Sequence, residues 1–319
     1  MGRGITWHPE LDHLLNGDSA LLDAVKTSFL MVRPEERARD RFVNVMPGLE
    51  VHFQVDEDAV FITDVFRKNG LDPLLLLFDI DGTLLTSSGF AKTAFEKALL
   101  ENFGTPGDIN RFPWSGKLDP NIMRELMRGA GIPEGIIADK LAQTLADYEA
   151  ILEATLPAEK IVIRPGVVAL LEEIRTYEDL LCSLCTGNTP GGARIKLTRG
   201  KLYHYFSTGA FGTDGAVRSE LPPVGLRRAQ RWWGLKVDPS KVFVIGDSPE
   251  DIKCAQASHY HSVAIASGWH PMEELASHKP ELLVEDLDKG REAFWRFLAS
   301  VHGPAIAGKR KGDGSGGGK

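Results

Sequence analysis

Residues 74–86 read LLLLFDIDGTLLT, and this stretch decides the fold. The apolar run Leu74–Phe78 is strand-sized and far too short to span a bilayer, which takes roughly 18–20 apolar residues. Two carboxylates, Asp79 and Asp81, follow it. On an extended chain, residues two apart point to the same side. Like charges so placed repel unless a cation or a proton sits between them. Gly82 permits a sharp turn, and Thr83 adds a hydroxyl. Carboxylates at the C-terminal end of a parallel strand lie where open α/β sheets bind ligands.

Working outward, strand-like runs recur at Leu180–Cys185, Lys241–Ile245 and Ser262–Ala266. The first three of the four strands each lead through a turn into a helical run. That alternation predicts a doubly wound parallel α/β sheet, a Rossmann-like core. Between the first and second strands lie tens of residues more than a crossover helix needs. They hold three helical stretches, near 90–103, 119–130 and 134–155. The expected organisation is a core over 73–89 and 159–301, a helical insertion over 90–158, a small N-terminal α+β appendage over 1–70, and a Gly-rich, disordered tail over 302–319.

Two later strand ends also carry chemistry. LLCSLC runs into Thr186-Gly187-Asn188, and a hydroxyl beside backbone N–H groups at a helix start suits a phosphate oxygen. KVFVIGDSPED places Asp247 at a strand end and Asp251 four residues on. Hard carboxylate oxygens near a phosphate are what Mg2+ takes.

The strings DIDGT, TGN and GDSPED, in that order at strand ends, resemble the motifs of the haloacid dehalogenase-like (HAD) hydrolases. The resemblance covers about residues 73–285, in the manner of phosphoglycolate phosphatases and β-phosphoglucomutases. It implies that Asp79 attacks a phosphoryl group and that Asp81 is the general acid and base. It implies phosphate binding by Thr186, Gly187 and Asn188. It also implies Mg2+ held by Asp79, by Asp81 through its backbone carbonyl, and by Asp247, with Asp251 close by. An acid–base Asp81 favours phosphate chemistry over dehalogenation. The helical insertion then reads as a cap, and its loop Trp114–Asp119 as a substrate contact. In that loop Gly116 permits a turn, Lys117 meets an anionic substrate, and Asp119 caps the next helix.

One motif departs from the pattern. The family places a lysine, usually in KPxP, before the last motif, and here the corresponding string is RSELPP, with Glu220 at the lysine position. A carboxylate cannot neutralise phosphate. Arg218 is the favoured substitute, an always-charged partner for phosphate, with Lys196 as the alternative.

The implied function is a Mg2+-dependent phosphatase acting on a small phosphorylated metabolite through an aspartyl-phosphate. A β-phosphoglucomutase-like phosphotransferase and a catalytically inactive binding protein are the alternatives. A net charge of −7, from 37 basic and 44 acidic residues, argues against a nucleic-acid partner. No apolar run suggests a membrane span. The N-terminus lacks a signal-peptide core, and its Gly2/Thr6 match to an N-myristoylation pattern stands without a second membrane signal. Three cysteines make no disulfide framework and point to a reducing compartment, the cytoplasm. Cys182 and Cys185 fall on opposite faces of one strand. Trp232 and Trp233 read as packing residues, and His259 and His261 as turn residues. Residues 46–68 are weakly similar to the C-terminal hairpin of RelE/ParE-type toxins, with Arg33, Arg37, Arg39, Arg41, Arg67 and Lys68 as available charge. Interleaved Glu35, Glu36 and Asp40 and the short length favour an appendage that packs on the core or mediates a homodimer.

Overall fold

The computed structural model describes residues 72–302, together with the backbone of three strands before them. Those strands, β1 (Phe42–Met46), β2 (Leu49–Val55) and β3 (Val60–Arg67), form an antiparallel sheet in the order β1-β2-β3. β2 and β3 match the hairpin read from the sequence, and β1 was not anticipated. The sequence pattern also predicts a helical stretch at about 18–29 and a hairpin link at Asp56-Glu57-Asp58; both, and the expected tail after His302, lie outside the described residues.

From residue 74 onward strands and helices alternate. In chain order they are β4 (Leu74–Phe78), β5 (Leu85–Thr86), α1 (Phe90–Phe103), α2 (Asp119–Gly129), α3 (Glu134–Thr155), β6 (Val162–Ile163), α4 (Val167–Ile174), β7 (Leu180–Cys185) and α5 (Pro190–Arg199). There follow β8 (Gly209–Ala210), α6 (Leu221–Trp233), β9 (Val242–Gly246), α7 (Pro249–Ala257), β10 (His261–Ile265), α8 (Met272–Ser277), β11 (Leu282–Val284) and α9 (Arg291–His302).

Six strands make one parallel sheet in the order β11-β10-β9-β4-β7-β8. β4 lies at its centre and is buried along its whole length. Alternation splits its side chains between two cores. Leu75 and Leu77 pack with Val242, Val244 and residues of α6, including Trp233. Leu74, Leu76 and Phe78 pack with Val167 and Leu171 of α4 and Phe294 and Leu298 of α9. A strand covered on both faces must be apolar throughout, which explains the unbroken Leu/Phe run.

The helices α1, α2 and α3 gather around a separate apolar cluster containing Phe95, Met123, Met127, Tyr148 and Leu152. Ile195 of α5 joins that cluster from the core side. The paired short strands β5 and β6 bring the entry and exit of this helical stretch together.

The short outer strands β8 and β11 were not foreseen, and the turn assignment of His261 is corrected. His259 occupies a turn with φ 56°, but His261 opens β10 and its Nδ1 lies 2.7 Å from Glu281. Trp233 is buried, as its packing role requires, and Cys182 and Cys185 are free thiols. No described helix is long and apolar enough to cross a membrane.

Candidate active site

Three strand ends build the site. β4 delivers Asp79 and Asp81, β7 delivers Thr186–Asn188, and β9 delivers Asp247. Two helices start beside them. Thr189 caps α5 by accepting from the Gly192 N–H at 3.1 Å. Ser248 caps α7 in a reciprocal capping box with Asp251. Pro190 and Pro249 take the first helical positions, where a missing N–H costs nothing.

Asp79, Asp247 and Asp251 are all buried, and one carboxylate oxygen from each lies within 4.8 Å of the others. Burial pushes the Asp79 carboxyl up to about 6 even with Arg218 opposing the shift. Burial first, and then the charges of Asp79 and Asp251, push Asp247 well above the ordinary carboxylate range. Thr83 Oγ1 donates to Asp247 Oδ1 at 3.0 Å. The other oxygen, Oδ2, is buried with no hydrogen-bond partner among the described residues. An orphaned oxygen beside a second buried carboxylate is a donor set suited to a hard divalent cation. Both oxygens of Asp251 are engaged, Oδ1 by Arg218 at 2.6 Å and Oδ2 by the Ser248 hydroxyl at 2.6 Å. Gly82, at φ 89°, is required here, because a Cβ would stand 2.3 Å from Asp247 Oδ2.

Arg218, not Lys196, is the cation beside Asp79. Its guanidinium lies 3.1 Å from Asp79 Oδ2 while donating to Asp251. Burial opposes its charge, but Asp251 and Asp79 outweigh that and hold the arginine pKa well above its usual value. Glu220 turns away and accepts from the Ala216 N–H at 2.7 Å. Lys196, 3% exposed, serves Asp81 instead. Its Nζ donates to Asp81 Oδ2 and to Asn188 Oδ1, each at 2.6 Å. Asn188 Nδ2 donates to the same Asp81 oxygen at 2.8 Å and to Thr186 Oγ1 at 2.8 Å. Thr186 thus accepts through its oxygen and keeps its own proton to donate.

The loop before α2 seats against the β7 turn. A Cβ on Gly187 would stand 2.1 Å from the Lys117 carbonyl oxygen. Ser115 Oγ lies 2.7 Å from His270 Nε2, and Gly116, at φ 72°, faces the side chain of Glu250. Lys117 Nζ pairs with Glu125 at 2.5 Å and stands 5.1 Å from the Phe112 ring centre, so its charge is already matched within the insertion. The expected capping role of Asp119 is corrected. Leu118 is the N-cap and Asp119 is the first residue of α2. Its Oδ2 accepts from the Thr189 N–H at 2.9 Å, and its own N–H donates to the Gly187 carbonyl at 2.8 Å. Burial pushes its carboxyl up to about 7. Neither this contact nor the Asn188–Lys196 clamp on Asp81 was found in the sequence, where no spacing signals either.

The family model described as haloacid dehalogenase-like hydrolase matches residues 76–265, more than half of the chain. The phosphoglycolate phosphatase of Pseudomonas fluorescens is 26% identical over 219 residues, which cover 68% of this chain and 78% of that protein. That of Cereibacter sphaeroides is 27% identical over 229 residues, covering 70% of this chain and 99% of that protein. Among solved structures, a hydrolase from Pseudomonas syringae aligns with a TM-score of 0.52 at 21% identity, over 70% of this chain and 98% of that one. A predicted phosphoglycolate phosphatase from Haemophilus somnus aligns with a TM-score of 0.51 at 18% identity, over 71% of this chain and all of that one (100%). These structural likenesses establish a common fold.

Proposed function

The chain belongs to the haloacid dehalogenase-like hydrolases, and from that premise we propose that it is a phosphatase releasing phosphate from a small phosphorylated metabolite. The observation that carries the reading is the buried Asp79–Asp247–Asp251 cluster with the Arg218 guanidinium against Asp79. The curated relatives named as phosphoglycolate phosphatases support it.

Asp79 is the nucleophile. Its carboxylate oxygen bonds to phosphorus as the bond from phosphorus to the leaving oxygen breaks. Asp81, protonated at that point, gives its proton to the departing oxygen. In the second half Asp81 takes a proton from water, the water oxygen bonds to phosphorus, and the Asp79–phosphorus bond breaks. Inorganic phosphate leaves and both residues are restored. Thr186 donates its hydroxyl to a phosphoryl oxygen, with the N–H groups of the Gly187–Asn188 turn beside it. Arg218 offsets charge on Asp79 and on the phosphoryl group. Asp251 holds Arg218 and caps α7, and so aims the guanidinium.

Asp79, the Asp81 backbone carbonyl and Asp247 would hold Mg2+, the orphaned Asp247 oxygen being the feature that fits it. When bound, the ion stabilises negative charge on the phosphoryl oxygens. The helices α1–α3 act as the cap over residues 90–158, excluding water while Asp79 is phosphorylated.

A panel of small phosphate monoesters assayed for inorganic phosphate tests the reading. Release from one or more of them is expected. Isomer formation without phosphate release would point to a phosphotransferase instead.

A further inference from the structure

We propose that Asp119 is a positioning residue that couples the seating of the helical insertion to the orientation of Asp81. The inference rests on the phosphatase reading, in which Asp81 protonates the leaving group. Asp119 holds the turn after β7 at two points. Its N–H donates to the Gly187 carbonyl at 2.8 Å, and its carboxylate accepts from the Thr189 N–H at 2.9 Å. Between those points lies Asn188, whose amide donates to Asp81 Oδ2 at 2.8 Å. Lys196 closes the arrangement by donating to both Asn188 and Asp81 at 2.6 Å. A short hydrogen-bonded path therefore runs from the first residue of α2, through one turn, to the acid–base carboxylate.

The seating is close. Gly187 has no room for a Cβ against the Lys117 carbonyl. A second carboxylate of the insertion, Glu149, accepts from the Gly191 N–H at 3.1 Å on the same helix start. Asp119 is only 8% exposed, and a buried carboxylate is unfavourable unless its contacts matter. If the insertion lifts, both Asp119 bonds are lost, and Asn188 and Asp81 keep only their core contacts with Lys196 and Thr186. Asp81 is then aimed most firmly when the cap is seated over substrate.

The test compares kcat/KM on two esters, because that ratio reports steps through departure of the leaving group. The leaving group of p-nitrophenyl phosphate departs without protonation, whereas that of a simple alkyl phosphate needs a proton. Asp119→Ala is expected to lose about a hundredfold on the alkyl ester and less than about threefold on the aryl ester. Asp119→Asn keeps an acceptor for Thr189 and is expected to recover most of the alkyl activity. If the alanine variant does not fold, Asp119→Ser keeps a polar side chain at that position but is one bond too short for its hydroxyl to reach the Thr189 N–H, and the same selective loss is expected. A merely structural role lowers both esters alike. Equal losses with wild type active on both esters, or no recovery with Asn, would overturn the inference alone. Wild type inactive on both would overturn the phosphatase reading and this inference with it.

Discussion

The Arg218 guanidinium lies 3.1 Å from the Asp79 carboxylate, at the place where the family pattern led us to expect a lysine. The same guanidinium donates to Asp251 through two nitrogens, at 2.6 and 3.2 Å. Arg218→Ala leaves two buried carboxylates without their cation, and a loss of about a hundredfold or more in kcat is expected. Arg218→Lys keeps the charge but loses the two-nitrogen grip on Asp251, so an intermediate rate is expected. Steady-state phosphate release with both variants checks this. A near-normal rate in Arg218→Ala would move the role to another group.

Asp247 is a liability without a cation. Burial and two neighbouring carboxylates disfavour its charge. In EDTA, Asp247→Asn should therefore melt above wild type. Added Mg2+ should reverse the order, since a ligand at about 100 times its Kd stabilises by about 2.7 kcal/mol. Thermal melts of both proteins with and without Mg2+ give the answer. A wild-type melting temperature indifferent to Mg2+ would contradict the metal assignment.

Asp119 predicts a stability profile against pH. Its folded carboxyl titrates near 7, above the ordinary 3.8, because it is buried. Below about pH 4 both folded and unfolded chains hold this proton. Between about 4 and 7 the folded chain holds it and the unfolded chain releases it, so stability falls as pH rises through that window. Asp119→Asn has no proton to lose. Its melting temperature relative to wild type should rise from pH 4 to pH 7.5, by roughly 2–4 °C for each kcal/mol. A difference that stays flat with pH would remove the titration from Asp119.

Gly187→Ala places a methyl group 2.1 Å from the Lys117 carbonyl. The loop before α2 must then move off the β7 turn. That methyl also comes within 3.0 Å of Arg218 Nη1, so a reduced kcat with a retained core fold is expected. Kinetics alongside far-UV circular dichroism separate the two effects.

Much of this arrangement was legible in the chain. Leu74–Phe78 reads as a strand from its short apolar run, and Asp79, Asp81, Asp247 and Asp251 are marked by short local strings. The three helices of the insertion fell close to their observed bounds, because long amphipathic or buried stretches carry their own signal. What escaped is non-local. Asn188 and Lys196 converge on Asp81 from more than a hundred residues away. Asp119 reads as a helix cap by local rules, yet it bonds a turn seventy residues on (|i−j| = 70), which tertiary packing alone decides. The strands β8 and β11, of two and three residues, are too short to carry a period. Arg218 was favoured over Lys196 for its place in the RSELPP string and its permanent charge, and the structure sets it against Asp79 while Lys196 sits against Asp81.

Phosphate release from p-nitrophenyl phosphate in Mg2+, by wild type and Asp79→Asn side by side, tests the central assignment most directly. Wild type should turn over, and Asp79→Asn, which keeps the shape of the side chain but not the attacking carboxylate, should fall to background. Equal rates in the two proteins would contradict Asp79 as the nucleophile.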